Sequence, residues 1–317
     1  MNLLIFLTHP EPTRSGYEKY LKPRHPELNI TTVSTRDDAL KLAPQADILM
    51  AFGPQVRKDF FQHTPKLKWV HSLGTGTDGI TDSPWLGRDV LVTAVRGIHG
   101  APISEMAFLM MLAFNRDLRR IEHQRTEKKW ERWPGALLEN KTVGILGVGA
   151  IAEALAPRCK AFGMRVIGIS RTNRPIPGFN QIYSRTEIVQ AVTELDYFVL
   201  LVPLENDTRN IVNDTVLSAM KPTAFLVNLA RGGVLDEAAL IRALEQNKIA
   251  GAHLDALATE PLPATSPLWT MPNVFITPHI GGYSDQYVIE ASKQFEQSLS
   301  AFMEGKPDQM IHREKRA

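Results

Sequence analysis

The run Lys141 to Thr172, KTVGILGVGAIAEALAPRCKAFGMRVIGISRT, restricts the fold more than any other part of the chain. Thr142 to Leu146 is a short apolar run suited to a buried parallel strand, and Ile151 to Phe162 carries apolar residues at helical spacing. Between them Gly147-Val148-Gly149-Ala150-Ile151-Ala152 must turn tightly, and a second apolar strand follows the helix. Gly147 permits the sharp turn, Gly149 lets the backbone approach a pyrophosphate, and the helix aims its unpaired N–H groups and positive dipole end at the phosphates. Strand, glycine turn, helix and strand in this order form the βαβ frame of a dinucleotide site, with Gly147, Gly149, Ala150 and Ile151 as its contacts. Ala152 replaces the third glycine of the usual fingerprint and is still small enough for close packing. Pro157 removes one hydrogen bond in mid-helix and is expected to kink it.

The end of the second strand bears on the choice of dinucleotide. An acidic residue near position 170 would bond the ribose 2′-hydroxyl of NAD, but the chain has Ser170-Arg171-Thr172, with Arg174 just beyond. No carboxylate is expected to repel a 2′-phosphate here. Arg171 can offer that phosphate a planar fork of donors and stack on adenine, while Ser170 and Thr172 add hydroxyls. The alternative is an ordinary solvated arginine. NADP is expected ahead of NAD, which stays possible.

At 317 residues with 44% hydrophobic composition the chain can bury two cores. A net charge of +2 gives no reason to expect nucleic acid, and the terminal HREKRA reads as a frayed basic tail. The single Cys159 excludes an internal disulfide, and no metal site is expected. Met1 to Leu7 has neither a basic leader nor a cleavage site, and the apolar helical run Met106 to Phe114 is too short to span a bilayer. A soluble cytoplasmic protein is the expectation.

Up to about residue 98, strand-like runs (Leu3 to Leu7, Ile30 to Val33, Ile48 to Phe52, Trp69 to Leu73, Val90 to Val95) alternate with polar, partly helical connectors, the pattern of a smaller parallel α/β domain. The loop Gly74-Thr75-Gly76-Thr77-Asp78-Gly79 also matches GxGxxG, but Asp82, Ser83 and Pro84 leave no long helix behind it. It suits a nest of N–H groups for a small anion such as a carboxylate, or a plain tight turn. Pro102 to Trp130 reads as one long helix with a buried EMAFLMMLAF half, carrying the chain into a second domain. Trp130 and Trp133 follow, covering a neighbouring subunit or packing on their own domain.

Beyond Thr172, strands are expected at Tyr197 to Val202, Ala224 to Leu229, Ala250 to Leu254 and Val274 to Thr277, with helices such as Asp207 to Met220 and Asp236 to Asn247 between them. With the first pair this makes six strands of a doubly wound, largely parallel sheet. Just after those strands stand Pro203, Arg231, Asp255 with Glu260, and His279. Ligands bind at such strand ends. Reducing the carbonyl of a 2-oxo acid needs a cation for the carboxylate and carbonyl dipole, a proton donor, and a group that keeps that donor charged. Arg231 suits the first role and His279 the second, with Glu260 beside it favouring the imidazolium. Taken singly, each could be structural: a paired arginine, a loop-capping glutamate, a histidine bonded to backbone.

The GVGAIA turn, LVPLENDTRNIV, NLARGGVLDEAAL, the block LDALATEPLPATSPLWTMPNVFITPHIGG and the GTGTD loop together resemble the D-isomer-specific 2-hydroxyacid dehydrogenase family over nearly the whole chain. The resemblance implies a flavodoxin-like substrate domain (1–98 plus 285–317) and a Rossmann NAD(P)-binding domain (99–284), both doubly wound and parallel. It implies that Arg231, Glu260 and His279 are catalytic and that Asp255 holds the nicotinamide carboxamide. Pro203, Thr208, Ala230 and Gly281 fall in the matched blocks as further cofactor contacts. Thr75 and Gly76 would offer N–H groups to the substrate carboxylate. A homodimer joined through the cofactor domain is implied, with a last helix, about Ser284 to Glu304, returning to the first domain. Within the family, Ser170-Arg171-Thr172 and the WERW pair look most like the glyoxylate and hydroxypyruvate reductases, where an aromatic of the partner subunit can border the substrate; Trp133 is the candidate. Closure of the two domains would exclude water. Reduction of bulkier, phenylpyruvate-type 2-oxo acids stays open, as does a dinucleotide-sensing interaction protein on the same fold.

Overall fold

A computed structural model describes residues 1–57, 59–172 and 174–314; Lys315 to Ala317 of the basic tail lie outside the described residues. The chain divides into two compact units, Met1–Ile98 with Ser284–Ala317, and His99–Tyr283. In chain order the first unit contributes β1 (Asn2–Phe6), α1 (Thr13–Leu21), β2 (Asn29–Val33), α2 (Arg36–Leu42), β3 (Ile48–Ala51), β4 (Trp69–Ser72) and β5 (Leu91–Ala94). The second holds α3 (Gly100–Asn115), α4 (Leu118–Glu127), β6 (Thr142–Leu146), α5 (Ala150–Ala161), β7 (Arg165–Ser170), β8 (Gln181–Ser184), α6 (Ile188–Val192), β9 (Tyr197–Leu200), α7 (Asp214–Ala219), β10 (Phe225–Asn228), α8 (Glu237–Glu245), β11 (Gly251–Leu254) and β12 (Val274–Ile276). The last helix, α9 (Tyr287–Met303), belongs to the first unit.

In the first unit the strands run β2-β1-β3-β4-β5, all paired in parallel. This is the flavodoxin-like order, with the crossover between β1 and β3. Helix α9 closes the unit through Phe295, whose ring stacks on Trp69 at 4.8 Å between centroids, and through Glu296, which accepts from Tyr20. Trp69 Nε1 donates to Thr93 Oγ1, so the indole is satisfied although fully buried.

The second unit orders its strands β12-β11-β10-β9-β6-β7-β8, also parallel throughout. Successive residues of one strand feed opposite faces. Val143, Ile145 and Val166 pack with Ala107 and Met111 of α3 and with Leu155 and Cys159 of α5. Leu146, Ile167 and Ile169 face the other way, among Ile188, Leu217 and Leu240 of α6, α7 and α8. Both parities are apolar because both faces are covered.

Three expectations change. The sheet has seven strands rather than six: β8 is an edge strand whose sequence, QIYS, is half polar. The single helix expected over 102–130 is two, since Asp117 at φ 51° breaks it and caps α4 by accepting from Arg120 N–H. The helix expected from Asp207 shrinks to Asp214–Ala219, capped by Asn213, because residues before it are folded into a turn by the buried Thr208. Helix α5 continues through Pro157 to Ala161. No helix among the described residues is long and apolar enough to cross a membrane.

Candidate active site

Three adjacent parallel strands, β10, β11 and β12, end on one edge of the second unit, and the candidate residues stand on the loops that leave them. Arg231 follows β10. Its backbone is fixed by Asn228, a fully buried side chain that donates to the carbonyls of Ala256 (3.0 Å) and Arg231 (3.3 Å) and accepts from Ala230 N–H (3.1 Å). The next residue must be glycine, because a Cβ on Gly232 would lie 2.0 Å from the carbonyl carbon and oxygen of Leu257. This contact presses the Arg231 loop onto the loop that carries Glu260.

Glu260 and His279 pair directly. His279 Nδ1 lies 2.9 Å from Glu260 Oε2 and 3.1 Å from Oε1, and Glu260 also accepts from Leu257 N–H at 3.0 Å. A carboxylate only accepts, so the proton sits on Nδ1 and the Nε2 position is the one that can exchange a proton with a ligand. Burial raises the Glu260 carboxyl, but the His279 bond and charge, the Leu257 N–H and the Arg231 charge outweigh it and hold the group below the ordinary carboxylate range. The dependence on Arg231 and His279 together brings the three expected residues into one electrostatic unit.

His279 sits at φ 56°, the left-handed region that a non-glycine residue adopts only under constraint. The constraint is Asp255. This side chain, 3% exposed, accepts from Thr277 Oγ1 (2.5 Å) and Ile280 N–H (2.9 Å) at Oδ1 and from Gly281 N–H (2.9 Å) at Oδ2, which brackets His279 on both sides. Because Thr277 spends its hydroxyl proton on Asp255, it can only accept from His253 Nε2 at 2.9 Å. His253 is therefore the Nε2–H tautomer. Burial pushes its pKa down to about 4 against the opposing charge of Asp255. His99 is buried too, and burial and then the Arg231 charge lower its pKa to about 4.

The glycine turn lies between β6 and α5. Gly147 has φ 96° and would place a Cβ 2.7 Å from the backbone of Val202, so no side chain fits. Around Gly149 the position of a Cβ meets nothing within 4 Å, Gly149 and Ala150 are exposed, Ile151 is half-buried, and no side chain caps the helix. This open, uncapped helix start fits a pyrophosphate. Of the other candidate contacts, Pro203 is exposed, while Ala230, Gly281 and Thr208 are buried, the last using its hydroxyl within its own turn.

Ser170 ends β7, and Arg171 and Thr172 are exposed beyond it. The local expectation that carboxylates are absent needs correction: Arg171 donates to Glu205 Oε2 at 2.5 Å and its Nε lies 4.0 Å from Asp207 Oδ2. Both acids come from the turn after β9, far away in sequence.

In the first unit, Thr75 is exposed and Gly76 half-buried at the end of β4. The single Ser72 Oγ proton is shared between Gly74 O and Gly76 O, at 3.1 and 3.0 Å, Tyr287 OH donates to Leu73 O, and Gly79 N–H donates to Asp82 at 2.6 Å. The loop is thus shaped by Ser72 and Asp82 at its ends and by Tyr287 of α9, and among the described residues no helix directly follows it. Trp133 joins none of these sets within one chain. Its ring lies under the Arg120 guanidinium at 4.4 Å and lines a groove of about 430 Å³ with Trp130, Ile121 and Gln124.

Asn228, Thr277, His253, His99, Glu205 and Asp207 were not legible as site residues. A signal existed for two of them: Asn228 ends an apolar strand, and His253 interrupts one, so each had to find a buried partner.

Residues 108–281 match the family model described as D-isomer specific 2-hydroxyacid dehydrogenase, NAD binding domain. The D-3-phosphoglycerate dehydrogenase of Methanocaldococcus jannaschii is 33% identical over 82% of this chain, which spans 50% of that enzyme's length. The glyoxylate reductase of Pyrococcus horikoshii is 31% identical over 88% of this chain and 86% of its own. Among solved structures, a D-isomer specific 2-hydroxyacid dehydrogenase family protein from Aeromonas salmonicida has a TM-score of 0.88 at 33% identity, covering 100% of this chain and 99% of that one. Loops, strand order and relatives agree: the chain belongs to the D-isomer specific 2-hydroxyacid dehydrogenase family.

Proposed function

We propose that the protein reduces the C2 carbonyl of a small 2-oxo acid of the glyoxylate or hydroxypyruvate type to the D-2-hydroxy acid, with NADPH preferred to NADH. The observation that carries this reading is the His279–Glu260 pair at 2.9 Å, with the charge of Arg231 acting on the same carboxylate. When bound, the reduced nicotinamide supplies the hydride that adds to C2. Arg231 holds the carboxylate and polarises the carbonyl, and His279 Nε2 delivers the proton to the carbonyl oxygen as the C–O π bond opens. Glu260 keeps Nδ1 protonated through the exchange. Gly147, Gly149, Ala150 and Ile151 receive the pyrophosphate, and Arg171, with Ser170 and Thr172, receives the 2′-phosphate. The unit His99–Tyr283 is then the dinucleotide domain, and the Thr75–Gly76 loop of the other unit takes the substrate carboxylate. A cytoplasmic homodimer completes the reading, with Trp133 offered to the partner's substrate; light scattering and cell fractionation test those two parts.

The direct test is the initial rate of NADPH and NADH oxidation with glyoxylate, hydroxypyruvate, pyruvate and phenylpyruvate. Fast turnover of the small acids supports the reading, and a preference for phenylpyruvate replaces its substrate. His279→Gln should abolish turnover while NADPH still binds. Unchanged turnover would remove His279 from the reaction.

A further inference from the structure

The turn after β9 is built to present two carboxylates to Arg171. Thr208 Oγ1, fully buried, accepts from Glu205 N–H at 2.7 Å and donates to Pro203 O at 2.7 Å, so residues 203–208 are pinned by an internal side chain. From this turn Glu205 pairs with Arg171, which leaves the end of β7, and Asp207 pairs at 2.8 Å with Arg185, which leaves the end of the neighbouring β8. The Arg185 side chain is only 14% exposed, and its Nε is buried without a hydrogen-bond partner among the described residues. Two strand ends and one pinned turn therefore hold two arginines and two acids in a single cluster whose charges cancel.

A cluster that is already neutral treats the two dinucleotides differently. A ribose 2′-hydroxyl brings no charge; it can donate to Glu205 or accept from Arg171. A 2′-phosphate brings between one and two negative charges, must draw Arg171 away from Glu205, and then lies beside both acids. We infer that Glu205 and Asp207 are the specificity-determining residues of the cofactor site, restraining the advantage that Arg171 gives to the phosphorylated dinucleotide. The inference rests on the proposed placement of the 2′-phosphate at Arg171. It differs from that reading in locating the discrimination on a turn distant in sequence from the usual acidic position.

Unit charges about 4 Å apart that are screened as in bulk water, as in this exposed cluster, interact by an amount that corresponds to roughly fivefold in affinity for each acid removed. The experiment titrates NADPH and NADH into the full chain by nucleotide fluorescence and compares the ratio of the two dissociation constants in wild type, Glu205→Gln, Asp207→Asn, the double variant and Arg171→Ala. The expected result is a ratio shifted toward NADPH by about tenfold or more in the double variant, shrinking at high salt because the cluster is half exposed. Arg171→Ala should shift the ratio toward NADH. If Arg171→Ala does so and the double variant leaves the ratio unchanged or moves it toward NADH, the inference is overturned and the cofactor reading stands. If Arg171→Ala weakens both dinucleotides equally, the placement of the 2′-phosphate is wrong and both fall.

Discussion

Replacing Asp255 by asparagine keeps the shape of the side chain and removes one acceptor. Oδ1 receives two donors, Thr277 Oγ1 and Ile280 N–H, and Oδ2 receives one, Gly281 N–H. The carboxamide will turn its oxygen to the side with two donors, which leaves its NH2 facing the Gly281 N–H. One hydrogen bond to a charged group is lost, worth about 1.5–3 kcal/mol, and a buried donor is left unsatisfied, so the expected net cost is about 2–4 kcal/mol. The cost is local, because these bonds brace a turn whose middle residue, His279, is held at φ 56°. Amide hydrogen exchange reads it directly. Ile280 and Gly281 should exchange roughly 30- to 1,000-fold faster than in the parent, while amides of β6 and β9 keep their protection. Turnover should fall along with the protection, since His279, the proton donor of the proposed reaction, is on the loosened turn. Exchange at Ile280 and Gly281 within about twofold of the parent would refute the idea that Asp255 braces the His279 turn.

Further expectations follow from the same contacts. His99 and His253 have folded pKa values of about 4 against 6.5, so below 6.5 the unfolded chain binds protons that the folded unit refuses. Their contribution is complete above pH 6.5 and is lost toward pH 4, with a slope of up to about 2.7 kcal/mol per pH unit; urea midpoints of unit His99–Tyr283 that do not move between pH 7 and 5 would contradict this. Gly232→Ala forces a methyl into the Leu257 backbone and should cost about 3 kcal/mol or more, measured as a lower urea midpoint, because the neighbour is main chain and has no rotamer to change. Phe295→Ala removes the ring stacked on Trp69 and should destabilise the first unit by about 3–5 kcal/mol, followed through tryptophan fluorescence.

The sequence reveals what depends on near neighbours. Strands β6, β9 and β10 are apolar at both parities, and the glycine turn after β6 is a run of consecutive residues, so fold, strand ends and the order of Arg231, Glu260 and His279 could all be read from the chain. The break between α3 and α4 could not. Nothing near Asn115 to Asp117 is a glycine or proline. Their helix ends at Asp117, held at φ 51°, where Asn115 O accepts from Ala136 N–H and Arg119, just past the break, donates to the carbonyls of Met271, Pro272 and Val274 at the start of β12. A tertiary contact takes an acceptor that helix propensity would have used locally.

The same distinction explains which part of the site stayed hidden. A residue type at a strand end states what chemistry is available, and that was sufficient for a cation, an acid and an imidazole. It does not state how that chemistry is tuned, because tuning comes from partners on other loops. Arg171 reads as a phosphate receptor by position, yet Glu205, 34 residues on, occupies its guanidinium. Asp255 reads as a ligand contact by position, yet its oxygens already accept from Thr277, Ile280 and Gly281, so any nicotinamide amide must share an acceptor that also sets the His279 backbone. A dinucleotide that bonds Asp255 would therefore pull on the turn carrying His279, coupling occupancy of one site to the geometry of the other through a single buried carboxylate. In that case NADPH binding alone should alter the exchange of the Ile280 and Gly281 amides in the parent and leave it unaltered in Asp255→Asn.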